Sequence, residues 1–286
     1  MHAARSQSAM EYLMTYGWAI LIIAVVLAVL FQLGVFSGGN FLPHAQAGSC
    51  QVSRTVAGVS LEGQCNGMLP EFVGVFTQTV TTNVLINESF AGGSSPMTFT
   101  FWFYPSDLSG ALVSFVKTTY GCGPPPNGYE VAISSTGTLY AGAVCNDDVL
   151  ISSSADWSAG KWGFVAVTYT DSSVNEYVWY GGQFYTNSGS VTVSTAPNPN
   201  VFIGGDWGTG LNGYIANVQL YNTSLSQSEI QALYLEGIGG APIRPQNIIG
   251  WWPLNGNAND YSGNSNNGQL NGVTFSSSWA SGYTAP

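Results

Sequence analysis

Carboxylates, histidines, cysteines and loop aromatics are the residues of this chain that could do chemistry, and their spacing narrows what that chemistry is. Hydrolysing a glycosidic bond takes two carboxyl groups close together, with proton affinities driven apart. Glu130 and Glu176 each stand alone in an apolar, strand-like stretch. Asp147 and Asp148 are neighbours, so on an extended strand they face opposite ways. The only histidines are His2 and His44, both outside the β-rich stretches, which gives a Ser-His-Asp triad no support. No glycine-rich phosphate loop precedes a helix. These patterns predict a protein that is not an enzyme.

Binding chemistry has better candidates. The run Asn257-Ala258-Asn259-Asp260-Tyr261-Ser262-Gly263-Asn264 is oxygen-rich, and Asn259, Asp260 and Asn264 are candidate ligands for Ca²⁺. Calcium takes about six to eight oxygens, and Asp260 is the one certain carboxylate here. Because Asn and Gly tolerate left-handed backbone, the run reads first as a turn-former. Asp147-Asp148 is a weaker cation candidate. In the loop Gly204-Gly205-Asp206-Trp207-Gly208, Trp207 could stack on a sugar face while Asp206 takes its hydroxyls. Packing of Trp207 down onto the fold is an equal alternative. Tyr120, beside Cys122, could act like Trp207. Trp102 and Trp179 lie within strand-like segments and Trp251-Trp252 opens another, so these read as core. Two sequons, Asn87-Glu88-Ser89 and Asn222-Thr223-Ser224, permit N-glycosylation, with Asn87 the better placed.

Four cysteines fall as two local pairs, Cys50 with Cys65 and Cys122 with Cys145. Three connectivities are open. The local pairs are preferred because each brackets a Gly, Pro or Asn segment that a disulfide could staple; free thiols in a reducing compartment are the alternative. Charged residues make up 7% of the chain, against about 25% in ordinary domains. The net charge is −10, and the five basic residues, Arg5, Arg54, Lys117, Lys161 and Arg244, are scattered. No basic patch exists to neutralise phosphates, which excludes nucleic acid as a partner.

The elements that must position these residues follow from periodicity. Segments 97–105, 111–117, 129–134, 138–144, 163–170 and 175–182 are rich in Val, Tyr, Phe, Thr and Trp, and Gly, Asn or Ser turns separate them. Many short strands of this kind imply an antiparallel β-sandwich or jelly roll. One helix fits 226–236, with Ser226 as N-cap, Glu229 closing a capping box and Gly237 as the stop. Residues 50–80 read as an irregular, disulfide-tied region forming a short hairpin that caps the head, and 37–49 as a linker. Residues 17–36, GWAILIIAVVLAVLFQLGVF, are uncharged and apolar apart from Gln32. As a helix they span about 30 Å, the thickness of a bilayer's hydrocarbon core. Arg5 precedes the run and no basic residue follows until Arg54, which places the N-terminus in the cytoplasm. A cleaved secretory signal ending at Ala45-Gln46-Ala47 and a plain uncleaved anchor are the competing explanations.

Two resemblances sharpen this reading. RSQSAMEYLMTYGWAIL resembles the class III signal peptide of archaeal type IV pilins and pilin-like proteins. It implies cutting by a prepilin peptidase between Ser6 and Gln7, which makes Glu11 the fifth residue of the mature chain, where that family carries its glutamate. Ser6 departs from the glycine common before the cut. A helix N-terminus favours the Glu11 carboxylate, but lipid penalises it unless paired. A neighbouring subunit's Gln7 amine would supply the partner. KWGFVAVTYTDSSVNEYVWYGGQ and VFIGGDWGTGLNGYIANVQLYNTSLSQSEIQALYLEG resemble the later strands of laminin-G-like, concanavalin-A-like jelly rolls, over about 83–237. That family includes lectins and glycanases; its endoglucanases use a Glu-x-Asp-x-Glu strand, which is absent here. The stretch 248–275 resembles the opening strand of the same fold. It is expected to return beside 217–222 and complete the sandwich rather than begin a second copy.

The expectation is therefore a mainly β protein: leader 1–6, hydrophobic transmembrane or assembly helix 7–36, linker 37–49 and jelly-roll head 50–286. It would be a surface subunit of a pilus-like filament, in the cell membrane and outside the cell. Its expected partners are its own copies, a prepilin peptidase, the membrane, and glycans or surface proteins. The alternative is a monomeric, membrane-anchored lectin-like protein.

Overall fold

The computed structural model of the chain describes residues 9–32, 44–45, 69–77, 82–86, 96–108, 129–134, 136–143, 151–170, 172–190, 200–205 and 210–286. The chain divides into two compact units, Met1–Phe41 and Leu42–Pro286. The first contains α1 (Ala9–Gln32), a helix of 24 residues. Across 16–29, where its side chains are described, every residue is exposed, Trp18 and Ile20 the most among the large apolar ones. No described helical stretch is by itself long and apolar enough to cross a membrane.

The second unit is a β-sandwich. In chain order its strands are β1 (His44–Ala45), β2 (Leu69–Pro70), β3 (Val73–Phe76), β4 (Asn83–Ile86), β5 (Met97–Pro105), β6 (Tyr129–Ile133), β7 (Thr138–Ala143) and β8 (Ile151–Asp156). They continue with β9 (Gly163–Tyr169), β10 (Ser173–Tyr180), β11 (Gln183–Ser190), β12 (Val201–Ile203) and β13 (Gly213–Tyr221). After α2 (Gln227–Leu235) come β14 (Ile248–Trp252), β15 (Gln269–Asn271) and β16 (Thr274–Ser276). The large sheet runs β11-β10-β9-β5-β13-β3-β16, with β14 also paired to β13. Two three-stranded sheets, β12-β4-β15 and β6-β7-β8, cover its inner face. All pairings in these three sheets are antiparallel.

At β5 both faces of the large sheet are buried, which is why that strand is mostly apolar. Phe99, Phe101 and Phe103 point inward to Val84, Val131, Val165 and Ile203, while Trp102 points outward to α2 and the C-terminal segment. The outward layer is built on Trp102, Phe164, Trp251 and Trp279, roofed by Ile230 and Leu233 of α2. The helix starts as its sequence dictates. The Ser226 side chain accepts from the Glu229 backbone, the Glu229 carboxylate takes the Ser226 N–H, and Gly237 leaves in left-handed backbone at φ +79°.

The C-terminal segment lies beside β13, with Val218 opposite Trp252 and Gln219 opposite Trp251. At the β13 bulge Asn217 sits at φ +51° and acts as a three-way tie. Its amide donates to Gly240 O (2.8 Å), and its Oδ1 accepts from Gln219 (3.1 Å) and the Trp251 indole (2.7 Å).

Three strands differ from the sequence reading. Residues 73–76, expected in a capping hairpin, are β3, a member of the large sheet between β13 and β16. A four-residue strand is too short to show alternation. Polar β8, ISSSAD, and β11, QFYTNSGS, carry little apolar signal. β11 forms because Gly181 and Gly182, at φ +61° and +77°, make the two-residue hairpin turn that returns the chain onto β10. The expected strand 111–117 lies outside the described residues.

Candidate functional site

On the outer face of the large sheet, aromatic rings from five places in the chain converge. Alternation along β10 turns Val174, Glu176, Val178 and Tyr180 inward and leaves Trp179 half-buried on the outer side. Trp179 lies between Phe184 of β11 (centroids 4.3 Å apart) and Tyr234 of α2 (4.9 Å, 15° between planes). Tyr234 also stacks on Trp102 of β5, at 5.8 Å and 21°. Trp162, just before β9, is locked in place by its indole N–H, which donates to Trp279 O at 3.0 Å. Between these rings, the Gly181-Gly182 turn and the segment around Gly282 and Thr284 is a cavity of about 340 Å³. Lys161 also lines it, with an exposed side chain. Sequence reasoning took Trp179 for core; its place on the outer face of β10, opposite a helix, was the signal that separates it from Val178.

Titratable groups elsewhere are engaged structurally. Burial pushes the Glu229 carboxyl up, and its bonds from Ser226 and Arg244 more than offset that, holding it below its usual value. Burial raises Glu236 and Tyr234, and carries the Tyr283 phenol up to about 12. Glu176 is fully buried inside the sandwich, neither carboxyl oxygen has a hydrogen-bond partner, and burial alone lifts it to about 8. Among the described residues, no charged neighbour contributes to that shift.

The candidate calcium loop is described in full. Asp260 accepts four hydrogen bonds: from Trp251 N (2.9 Å) and Ser262 N (2.8 Å) at Oδ1, and from Ser262 Oγ and Asn266 N (both 2.9 Å) at Oδ2. Asn264 spends its amide on Ile248 O and Ile249 O, both at 2.8 Å. The Asn259 N–H donates to Asn257 Oδ1 at 2.9 Å. The protein's own donors thus occupy both Asp260 oxygens. No group of three or more His, Cys, Asp or Glu side chains suited to a metal occurs among the described residues.

Asn222 is exposed after β13, where its Oδ1 accepts from Asn247 at 3.0 Å. Glu11 falls within α1, but its side chain lies outside the description. Also outside the described residues are Ser6, Gln7, Cys50, Cys65, Asn87, Tyr120, Cys122, Cys145, Asp147, Asp148, Asp206 and Trp207.

This arrangement of sandwich, outer helix and returning strand has relatives. Residues 77–231 match the concanavalin A-like lectin/glucanases superfamily. The chain belongs to that superfamily. No curated protein matches its sequence. In structure, this superfamily member is similar to a native heptameric SAP-like pentraxin from Limulus polyphemus, at 14% identity and TM-score 0.50, over 71% of this chain and 94% of that one. It is also similar to a protein from Bacteroides ovatus described as carbohydrate binding, at 13% identity and TM-score 0.52, over 73% of this chain and 61% of that one. At such identities the likeness is one of fold.

Proposed function

We propose that the chain is a non-enzymatic, pilin-like surface subunit whose N-terminal helix anchors and assembles it and whose sandwich binds glycans or surface proteins outside the cell. The observation that carries the reading is α1: 24 residues of helix, about 36 Å long, with exposed apolar side chains on every side of its described stretch. A rod of this kind needs lipid or other apolar helices around it. Cutting before Gln7 would keep the rod in the mature chain and set Glu11 against a neighbour's new amine. Membership of a lectin and glucanase superfamily, together with an aromatic cavity and a lone buried Glu176, favours binding over hydrolysis.

The test is assembly of the Glu11→Ala chain together with a glycan array probed by the full chain in detergent, with and without chelator. Loss of filaments on Glu11→Ala and capture of specific glycans is the expected pair of results. Filaments unchanged in Glu11→Ala would overturn the role given to Glu11, and a wild-type chain that forms no filaments would instead mean a monomeric, membrane-anchored lectin-like protein.

A further inference from the structure

Of the two Asn-x-Ser/Thr sequons, the described residues include the one at Asn222. The chain leaves β13 at Tyr221 and re-enters the core at Leu225, both buried, so Asn222, Thr223 and Ser224 arch between two fixed points. Thr98 ties this arch to β5: its buried hydroxyl donates to Thr223 O (2.6 Å) and accepts from Leu225 N (3.0 Å). The Asn222 N–H donates to Asn247 O at 2.9 Å, and Asn222 Oδ1 accepts from the Asn247 amide at 3.0 Å. Asn222 is nonetheless exposed, and its Nδ2 has no partner among the described residues. Asn217, Asn264, Asn266 and Asn271 instead spend that nitrogen on hydrogen bonds.

We infer that Asn222 carries an N-linked glycan, which makes this arch a modification site of the head. The inference rests on the reading above that places the head outside the cell, where such glycans belong. The step joins Asn222 Nδ2 to the anomeric carbon of an oligosaccharide held on a lipid phosphate. The N–C bond forms, the bond from that carbon to the phosphate oxygen breaks with its electron pair, and the amide proton passes to a base of the transferase. The motif needs a hydroxyl two residues on, and Ser224 supplies it. Transfer takes an extended acceptor segment and so precedes closure of the arch; the folded structure decides whether the product fits. Here the nitrogen that takes the sugar is the polar atom no protein group uses, while Asn247 fixes the amide from its oxygen side. Attachment therefore displaces no hydrogen bond. It also sets a bulky hydrophilic chain in water on a protein with only 7% charged residues.

The experiment recovers the full chain from the cells that make it, digests it, and reads the mass of the peptide spanning 222–224. Wild type is compared with Ser224→Ala and Ser224→Thr. The wild-type peptide is expected to gain the mass of an oligosaccharide, located on Asn222 by fragmentation. The gain should vanish in Ser224→Ala, which leaves Asn222 and its contact with Asn247 in place, and persist in Ser224→Thr. An unmodified wild-type peptide, a gain that survives Ser224→Ala, or one lost in Ser224→Thr would each overturn the assignment. A membrane-impermeant amine reagent applied to whole cells tests the underlying reading separately, because Lys161 is exposed. A head labelled at Lys161 but bare at Asn222 keeps its surface placement and loses only this site, whereas an unlabelled, bare head loses both.

Discussion

A carboxyl group inside a sandwich, with no donor to satisfy it, is neutral at ordinary pH because ionising it there is costly. Glu176 is that group, flanked across the sheet by Val167 and Asn187 and along its strand by Val174 and Val178. Its pKa is about 4.5 when unfolded and about 8 when folded, so the folded state keeps a proton that the unfolded state releases. Its contribution is therefore whole below pH 4.5 and is lost as pH rises toward about 8. Unfolding followed across pH 5–8 should show stability falling, at up to about 1.4 kcal/mol per unit from this group. In Glu176→Gln that part of the slope should vanish. A slope identical in the variant would show that Glu176 is already ionised. The sequence showed Glu176 as a single acid in an apolar strand, but the inward or outward direction of β10 was needed to know that it is buried. The same alternation hid Trp179, one residue off the inward set and thus on the outer face.

Among elements, those with local rules were legible. Segment 97–105 is β5, a strand buried on both faces whose run is apolar apart from Thr98 and Thr100. The Ser226–Glu229 pair wrote its own capping box, and the return of 248–252 beside β13 was implied by the resemblance of 248–275 to the opening strand of the jelly roll. β8 and β11 were illegible because their polar residues are held by neighbours and a glycine turn rather than by a period of their own. The loop 257–264 was legible as a turn-former, and its geometry adds a purpose: Asp260 clamps the loop onto β14 through Trp251 N. Asp260→Ala abandons three backbone N–H groups and one hydroxyl. It should cost about 3 kcal/mol, seen as a lower urea midpoint, while chelator should leave the wild-type midpoint where it is. A midpoint that drops with chelator would assign the loop to a cation.

At the scale of the whole molecule, the superfamily match ends at residue 231, yet both layers of the sandwich draw strands from beyond it. β14 pairs with β13, β15 with β4 and β16 with β3. Trp252 and Leu254 fill the inner core, and Trp251 and Trp279 the outer one. A chain ending at residue 237 would uncover these layers and leave three strands with open edges. It should lose cooperative unfolding and aggregate; a cooperative transition would show that the C-terminal strands are accessory.

The head carries the proposed binding, and the proposed assembly depends on the fate of α1. The most direct measurement is the intact mass of the chain recovered from the surface of the cells that make it. A mature chain beginning at Gln7 is predicted, with the apolar rod retained and a new amine beside Glu11. A chain beginning at Gly48 would contradict the account, leaving a secreted head with no rod to assemble.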